Sequence, residues 1–369
     1  MKGYILMLMI FPQIFFCSKK DTTIIIPKVS EVDLELVVDS VDIPWGLDFL
    51  PDGSMMYTEK EGMVYQVKEG KKYLVGNVPD VYYRGQGGLL DLRLHPDFSN
   101  NRKIYFSLSK NSPDGEGGNT AIVSAIFDGK ELKDFNTIYQ ASPGSSKGYH
   151  FGSRIVFDDQ GYLFFTIGDR GDHDQNPQDI KRDGGKVYRI HDDGRIPSDN
   201  PFYSTEGAKT AIWSYGHRNQ QGMAIHPASR EIWTNEHGPK GGDELNIIRK
   251  GANYGWPVIT YGINYNGTII TDQKEKEGME QPVYYWIPSI GPSGMCFISS
   301  STYPDWQGNI LIGSLSFSYL ERLVMDGTKV VKREKLFENI GRVRNVVQAP
   351  DGYVYVAVES KGIFRMIPK

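Results

Sequence analysis

The sequence has little cysteine, no excess of positive charge and no recurring helical periodicity. Two cysteines in 369 residues exclude a disulfide-stapled scaffold and a cysteine-ligated zinc centre. The charge balance, 41 Lys+Arg against 45 Asp+Glu, lacks the basic face that nucleic-acid binding requires. Apolar residues make up only 39%, too few for a polytopic membrane protein. Aromatics at 12% are too many for a disordered chain. There is no P-loop, no Gly-x-Ser-x-Gly elbow and no His-Glu-x-x-His, and the Gly85-Gln-Gly-Gly88 run is not set in a βαβ unit, so it is no dinucleotide fingerprint.

What the chain has in abundance is glycine (41), tyrosine (22) and phenylalanine (17), the composition of many short strands joined by tight turns. One grammar recurs six times: a small residue, alternating apolar residues, a Pro/Asp/Gly turn, then an aromatic-rich strand. The copies begin at Pro44, Gly88, Gly152, Gly222, Gly294 and Asn345. Period-2 alternation around Asp-Gly is a hairpin signal. A third strand follows in Gly62–Val67, Lys186–Ile190 and Gly362–Met366. Starts spaced about 40 to 70 residues apart leave room for one four-stranded blade each. The expectation is an all-β, six-bladed β-propeller with four-stranded antiparallel blades over residues 31–369. Only Ala141–Lys147 suggests a short helical turn, and Asn111–Asn119, Asp169–Pro201 and Gly262–Gln281 read as long loops.

Before the repeats, Lys2, the apolar stretch Tyr4–Phe11 and Ile14–Phe16, and the polar turn at Cys17 form the pattern of an export signal over residues 1–17. Cys17 resembles a lipoprotein acceptor, residues 18–30 read as a tether, and the protein is expected to be periplasmic or lipid-anchored at a bacterial envelope. Lipid on Cys17 would be its sole membrane contact, and Cys296 would have no disulfide partner.

Loops from all blades converge at the mouth of a propeller's channel, so chemistry is sought there. His150 lies just before the third blade, and an imidazole near neutrality can serve as a general base. Taken alone, a loop histidine is more commonly structural. Asp169, at the end of the paired strand, could orient it. Arg218 and Asn219 precede the fourth blade, while Arg342 and Arg344 precede the sixth, spaced to share one side of an extended segment. Arginines gathered at one mouth require an anion among them, and guanidinium suits a planar carboxylate. The turn Asn235–Asn246, with Gly238, Pro239, Asp243 and Glu244, offers the hard oxygens that calcium prefers, and reads equally as an acidic hairpin turn. Gln86 could hydrogen-bond a sugar hydroxyl. Trp286 could stack on a sugar or a conjugated ring, or pack between blades.

Together these motifs resemble the soluble quinoprotein glucose/sorbosone dehydrogenases, the aldose sugar dehydrogenases most of all. The resemblance runs from about Val41 to Pro368. It rests on Pro44-Trp-Gly46, Gly85-Gln-Gly-Gly-Leu-Leu90, His95-Pro-Asp-Phe98, His150-Phe-Gly-Ser-Arg154, Thr166-Ile-Gly-Asp-Arg-Gly171, Asp199-Asn-Pro-Phe202, Tyr215-Gly-His-Arg-Asn219, Gly238-Pro-Lys-Gly-Gly-Asp-Glu244, Asn253-Tyr-Gly-Trp-Pro257 and Arg342-Val-Arg344. It implies a propeller that holds pyrroloquinoline quinone (PQQ) with a calcium ion. It further implies a small aldose substrate oxidised to a lactone, and an electron acceptor that no motif identifies. Carried over, the carbonyls of Gly238 and Pro239 would ligate the calcium, and Arg218, Asn219, Arg342 and Arg344 would hold the cofactor. His150 would take the anomeric proton as hydride passes to the quinone C5, with Asp169 orienting it and Arg218 beside it. Gln86 and Trp286 would line the substrate or cofactor pocket, and Glu244 with the Tyr254 carbonyl would form a structural calcium site. Two positions depart from the pattern. Ser316 stands where glucose-specific members place a cofactor-contacting lysine, with Lys240 as a substitute cation, and Tyr149 replaces an acid that precedes the histidine in some members. The first departure motivates an alternative, a non-catalytic propeller that binds a glycan or protein partner.

Overall fold

The structure is a computed structural model that describes residues 32–369 except 114 and 116. The expected export segment 1–17, Cys17 and the 18–30 tether lie outside the described residues. Among the described residues, no helix is long and apolar enough to cross a membrane.

Six four-stranded antiparallel sheets form the molecule. In chain order the strands are β1 (Val32–Val38); β2 (Pro44–Phe49), β3 (Met55–Glu59), β4 (Met63–Lys68) and β5 (Lys71–Leu74) in blade I; β6 (Leu89–Leu94), β7 (Lys103–Asn111), β8 (Gly118–Phe127) and β9 (Leu132–Gln140) in blade II; and β10 (Ile155–Phe157), β11 (Leu163–Ile167), β12 (Lys186–Ile190) and β13 (Ile212–Tyr215) in blade III. There follow β14 (Gln220–Ile225), β15 (Ile232–Glu236), β16 (Asp243–Ile247) and β17 (Tyr284–Trp286) in blade IV; β18 (Pro292–Phe297), β19 (Ile310–Ser314), β20 (Leu320–Asp326) and β21 (Lys329–Leu336) in blade V; and β22 (Val343–Gln348), β23 (Val354–Val358) and β24 (Gly362–Pro368) in blade VI. Among the described residues, the helical content is one turn of α-helix at Phe98–Asn101 and a 3-10 turn at Pro304–Trp306.

Each of the six sequence copies supplies the first two strands of one blade. The first strands β2, β6, β10, β14, β18 and β22 contact one another in sequence, and β22 returns to β2, so the sheets close a ring around a central channel. A glycine at or near the start of a copy has a steric purpose. A Cβ at Gly46 would lie 2.4 Å from the Leu92 nitrogen, and one at Gly294 would lie 2.1 Å from Asn345 Oδ1, so only glycine lets neighbouring blades approach this closely.

Polar side chains lock the ring at each junction. Thr58 Oγ donates to the Leu90 carbonyl (2.5 Å), Ser107 Oγ to that of Ser153 (2.5 Å) and Thr166 Oγ to that of Gln220 (3.3 Å). Asn235 Nδ2 donates to the Ser293 carbonyl (2.9 Å), Ser293 Oγ to that of Val343 (2.6 Å) and Asn345 Nδ2 to that of Trp45 (2.9 Å). Every blade thus donates to the innermost backbone of the next. Buried aliphatic and aromatic residues fill the spaces between sheets, as in the clusters around Phe106 and Phe127, or Trp233 and Trp286.

The structure adds to the sequence reading at three places. The fourth strand of blade VI is β1, which pairs with β24 from Val32↔Pro368 to Val38↔Ile363, so the beginning of the described chain closes the last blade. The expected Asn111–Asn119 loop is the connection between β7 and β8, which pair as far as Asn111↔Gly118. Ala141–Lys147 forms no helix. Its Ser145 and Gly118 instead exchange backbone hydrogen bonds.

Candidate active site

A cavity of about 520 Å³ opens at one end of the channel, within the usual size range of small-molecule sites. Its apolar lining comes from Trp45, Leu90, Phe151, Pro288 and Leu315, and its polar lining includes Lys60, Gln86, Gln221, His237, Lys240, Ser316, Arg342, Arg344 and Glu359.

His150 stands at its edge, in a left-handed conformation (φ 59°) that a non-glycine residue keeps only when its surroundings enforce it. They do. Gln86 Oε1 accepts the His150 N–H (2.8 Å), and the His150 carbonyl accepts the Arg170 N–H (3.3 Å). The Asp169 carboxylate meets Nδ1 at 2.6 Å. Phe151 and Gly152, the next two residues, belong to the cavity wall. Arg170 lies over the Phe151 ring, 3.5 Å from its centroid, and donates to the carbonyls of Tyr149 and Lys147. Arg170 is a positioning residue that the sequence reading passed over, although it sits directly beside Asp169.

Asp169 is 1% exposed, and its oxygens also accept the Trp256 indole N–H (3.0 Å) and the Gly171 N–H (2.7 Å). Burial alone would raise its pKa, but the hydrogen bond with His150, the Arg218 charge nearby and the Gly171 N–H hold it below the usual carboxylate value. Burial, reinforced by the charges of Arg218 and Arg170, lowers the imidazole pKa despite the opposing pull of Asp169. The outcome is an ionised carboxylate beside a neutral imidazole. The carboxylate fixes the imidazole proton on Nδ1 and leaves Nε2 with a free lone pair.

The arginines part company. Arg342 and Arg344 line the cavity, yet both are shared by one acid missed in the sequence, Glu359, which accepts from Arg342 Nε at 2.6 Å and from Arg344 Nε at 2.8 Å. Arg218 does not join them. It is buried, and its Nη1 donates to the carbonyls of His237 (3.0 Å) and Gly238 (2.7 Å) while its own carbonyl accepts the Asp169 N–H (2.7 Å). It therefore acts between the His150–Asp169 pair and the 237–238 backbone instead of as a third cavity guanidinium. Asn219 is buried, its Oδ1 accepts the Gly152 N–H, and its Nδ2 has no hydrogen-bond partner.

The carbonyls of Gly238 and Pro239, both in the cavity wall, each accept one protein hydrogen bond, from Arg218 and Ser289 respectively. Each carbonyl keeps a second lone pair. Asp243 is a staple for this loop, accepting the N–H groups of Gly238 (2.8 Å) and Gly291 (2.9 Å), with burial pushing its pKa up to about 6. His237, another residue the sequence reading missed, lies in the cavity wall and bonds the Pro292 carbonyl (2.8 Å); burial and Arg218 push its pKa down to about 3.

Beneath this loop Glu236 and Glu244 share the Asn246 amide, 3.1 Å from each. Burial and the charge of Glu236 push the Glu244 pKa up. A void of about 10 Å³ adjoins both acids and Tyr254, near the volume that one water fills.

Trp286 is corrected. It is fully buried in β17, its indole N–H donates to Glu321 (2.8 Å), and it packs with Trp233 and Leu245 between blades IV and V. Its place on the outermost strand of blade IV turns it to the inter-blade core and away from the channel. Ser316 and Lys240 both line the cavity, and Tyr149 presents its ring to His150 edge-on, with centroids 4.9 Å apart. Cys296 is a buried free thiol whose pKa burial raises to about 12.

With this geometry in place, known proteins supply the decisive comparison: the glucose/sorbosone dehydrogenase family model matches residues 41–365. The chain belongs to that family. It is 44% identical over 341 residues to aldose sugar dehydrogenase YliI of Escherichia coli K12, covering 90% of this chain and 91% of that one. The solved apo structure of the soluble aldose sugar dehydrogenase from Escherichia coli superposes with a TM-score of 0.86 at 41% identity, over 92% of this chain and all (100%) of the other. A PQQ-bound aldose sugar dehydrogenase from Streptomyces coelicolor superposes with a TM-score of 0.76 at 28% identity, over 92% and 98% of the two chains.

Proposed function

We propose that this protein is an exported, PQQ-dependent aldose dehydrogenase that oxidises the anomeric hydroxyl of a sugar to a lactone, with His150 as general base. Family membership makes it a sugar oxidoreductase, and the observation that carries the finer reading is the His150–Asp169 pair at the edge of a cationic cavity.

The cavity's residues fit a flat polycarboxylate. Two guanidinium groups and Lys60 line it, Trp45, Leu90 and Phe151 supply an apolar wall, and Asn219, which accepts from the lining residues Gly152 and Gln221 from behind that wall, holds a buried amide N–H with no acceptor. A buried donor without a partner indicates an acceptor yet to arrive. Arg342, Arg344 and Asn219 would hold PQQ, and the second lone pairs of the Gly238 and Pro239 carbonyls would face its calcium, whose remaining ligands the cofactor and water must bring. The Glu236–Glu244 void, with the Tyr254 carbonyl, fits a structural calcium. Glu236 already meets the buried His217 imidazole (2.8 Å) and the Arg218 N–H (2.6 Å), so Glu244 is the buried carboxylate left needing a cation or a proton.

PQQ, when bound, accepts the hydride from the anomeric carbon. The protein's share is proton transfer and orientation. His150 Nε2 takes the anomeric hydroxyl proton, and Asp169 keeps Nδ1 protonated and stabilises the imidazolium that forms. Gln86 holds the His150 backbone in place, and its cavity position lets its amide meet the sugar.

The test is reconstitution with PQQ and calcium, followed by aldose-dependent reduction of an artificial electron acceptor. His150→Ala should lower turnover by about 10²–10⁴-fold while PQQ still binds. No PQQ-dependent turnover in the wild type, or an unchanged rate in His150→Ala, would overturn this reading.

A further inference from the structure

Lys60, which follows β3 in blade I, is an unusual cation. It is 8% exposed, yet no carboxylate lies within 4 Å of its ammonium among the described residues. Its one hydrogen bond from Nζ goes to the Gly85 carbonyl (2.6 Å), and the ammonium lies over the Tyr83 ring, 4.5 Å from its centroid. Burying an ammonium without a counter-ion is costly. The surroundings increase that cost, because Arg344 adds a second positive charge to the desolvation, and Glu359, Asp42 and Glu61 offset it only from a distance. Glu359 is already shared between Arg342 and Arg344.

The backbone cannot relieve the arrangement by moving. The Lys60 N–H donates to the Ile43 carbonyl (3.1 Å), and its carbonyl accepts the Leu89 N–H from blade II (2.9 Å). An ammonium has three donors and no acceptor, and this one spends a single donor on the protein while lining the cavity.

We propose that the Lys60 ammonium is a further ligand-binding cation, which pairs with a carboxylate of the anion held in this cavity. The proposal rests on the reading of the cavity as a PQQ site, and it adds a residue from blade I to the cradle formed by blade VI. A lysine serving only as a strut for Gly85 would have no need of a net charge.

The test is titration of the full-length apoprotein with PQQ in the presence of calcium, followed by quenching of tryptophan fluorescence at low and high salt. Lys60→Met should weaken binding by about 10- to 100-fold, and Lys60→Arg should stay within about threefold of the wild type, since charge and donors are kept. Lys68→Met, which removes an exposed lysine of the same blade, should change nothing. Salt should weaken wild-type binding more steeply than that of Lys60→Met, because an ion pair is screened and a packing contact is not. A second measurement uses the wild type alone: bound PQQ should slow acylation of Lys60 by an amine-reactive reagent, read by mass spectrometry. Equal affinities and salt slopes for wild type and Lys60→Met, or no protection of Lys60, would overturn the proposal and leave the PQQ site standing. A wild type that binds no PQQ would instead overturn the cofactor reading, and this proposal with it.

Discussion

His150 is held at three points, its N–H by Gln86, its carbonyl by Arg170 and its ring by Asp169. A base fixed this firmly loses little entropy when the sugar arrives. Its lowered pKa keeps it deprotonated at neutrality, so kcat should fall only as the pH drops below the usual imidazole value and the ring takes up a proton. Asp169 is the partner that raises this pKa. Asp169→Asn should therefore move the acid limb of the kcat profile to lower pH, and lower kcat by about 10²–10⁴-fold because Nδ1 is no longer fixed as the donor. An unchanged limb in a pH–rate series would count against the pair. The pair was legible in the sequence because both residues flank strands of one hairpin, β10 and β11, whose turn is local. Lys60 and Glu359 escaped notice, though they share a signal: each comes just after the second strand of its blade, as Asp169 does. Trp286 misled because an aromatic in a strand carries no mark of which face it takes.

At the scale of elements, the ring is a chain of hydroxyl and amide hooks. Thr58 is fully buried; it accepts the Gly46 N–H (2.8 Å) and donates to the Leu90 carbonyl (2.5 Å). Thr58→Val keeps the shape and leaves both backbone groups unpaired, at an expected cost of at least about 1–3 kcal/mol. Urea unfolding should show a lower midpoint with an unchanged m-value, and an unchanged midpoint would mean the hook contributes nothing. Blade number and strand pairs could be read directly, since Asp-Gly turns and period-2 alternation are encoded within about a dozen residues. The hooks could not, because a threonine or asparagine in a strand looks the same whether or not a carbonyl of the next blade lies opposite.

For the whole molecule, the channel is divided between two cavities, each bordered by residues of several blades. Arg154 lines the second of them, lies over the Trp45 ring (4.2 Å to its centroid) and pairs with buried Asp91 at 3.2 Å. Trp45 belongs to the first, so this layer forms a floor between the two. That floor depends on ring closure, and closure was the least legible feature of all. The residues that pair in β1 and β24, such as Glu35 and Arg365, are separated by almost the full sequence, and no local pattern links them.

The same pairing sets Val32 beside Pro368, so in space the propeller has no true first blade. A circular permutant that joins residue 369 to residue 32 through a short linker and opens at the exposed Asn266-Gly267 turn should fold with a melting temperature near that of the parent. Deleting residues 32–38 from the ordinary order should lower that temperature sharply, because β24 would be left with an open edge. If scanning calorimetry found the permutant as unstable as the deletion, then chain order, and not the closed circle, would be what sustains the molecule.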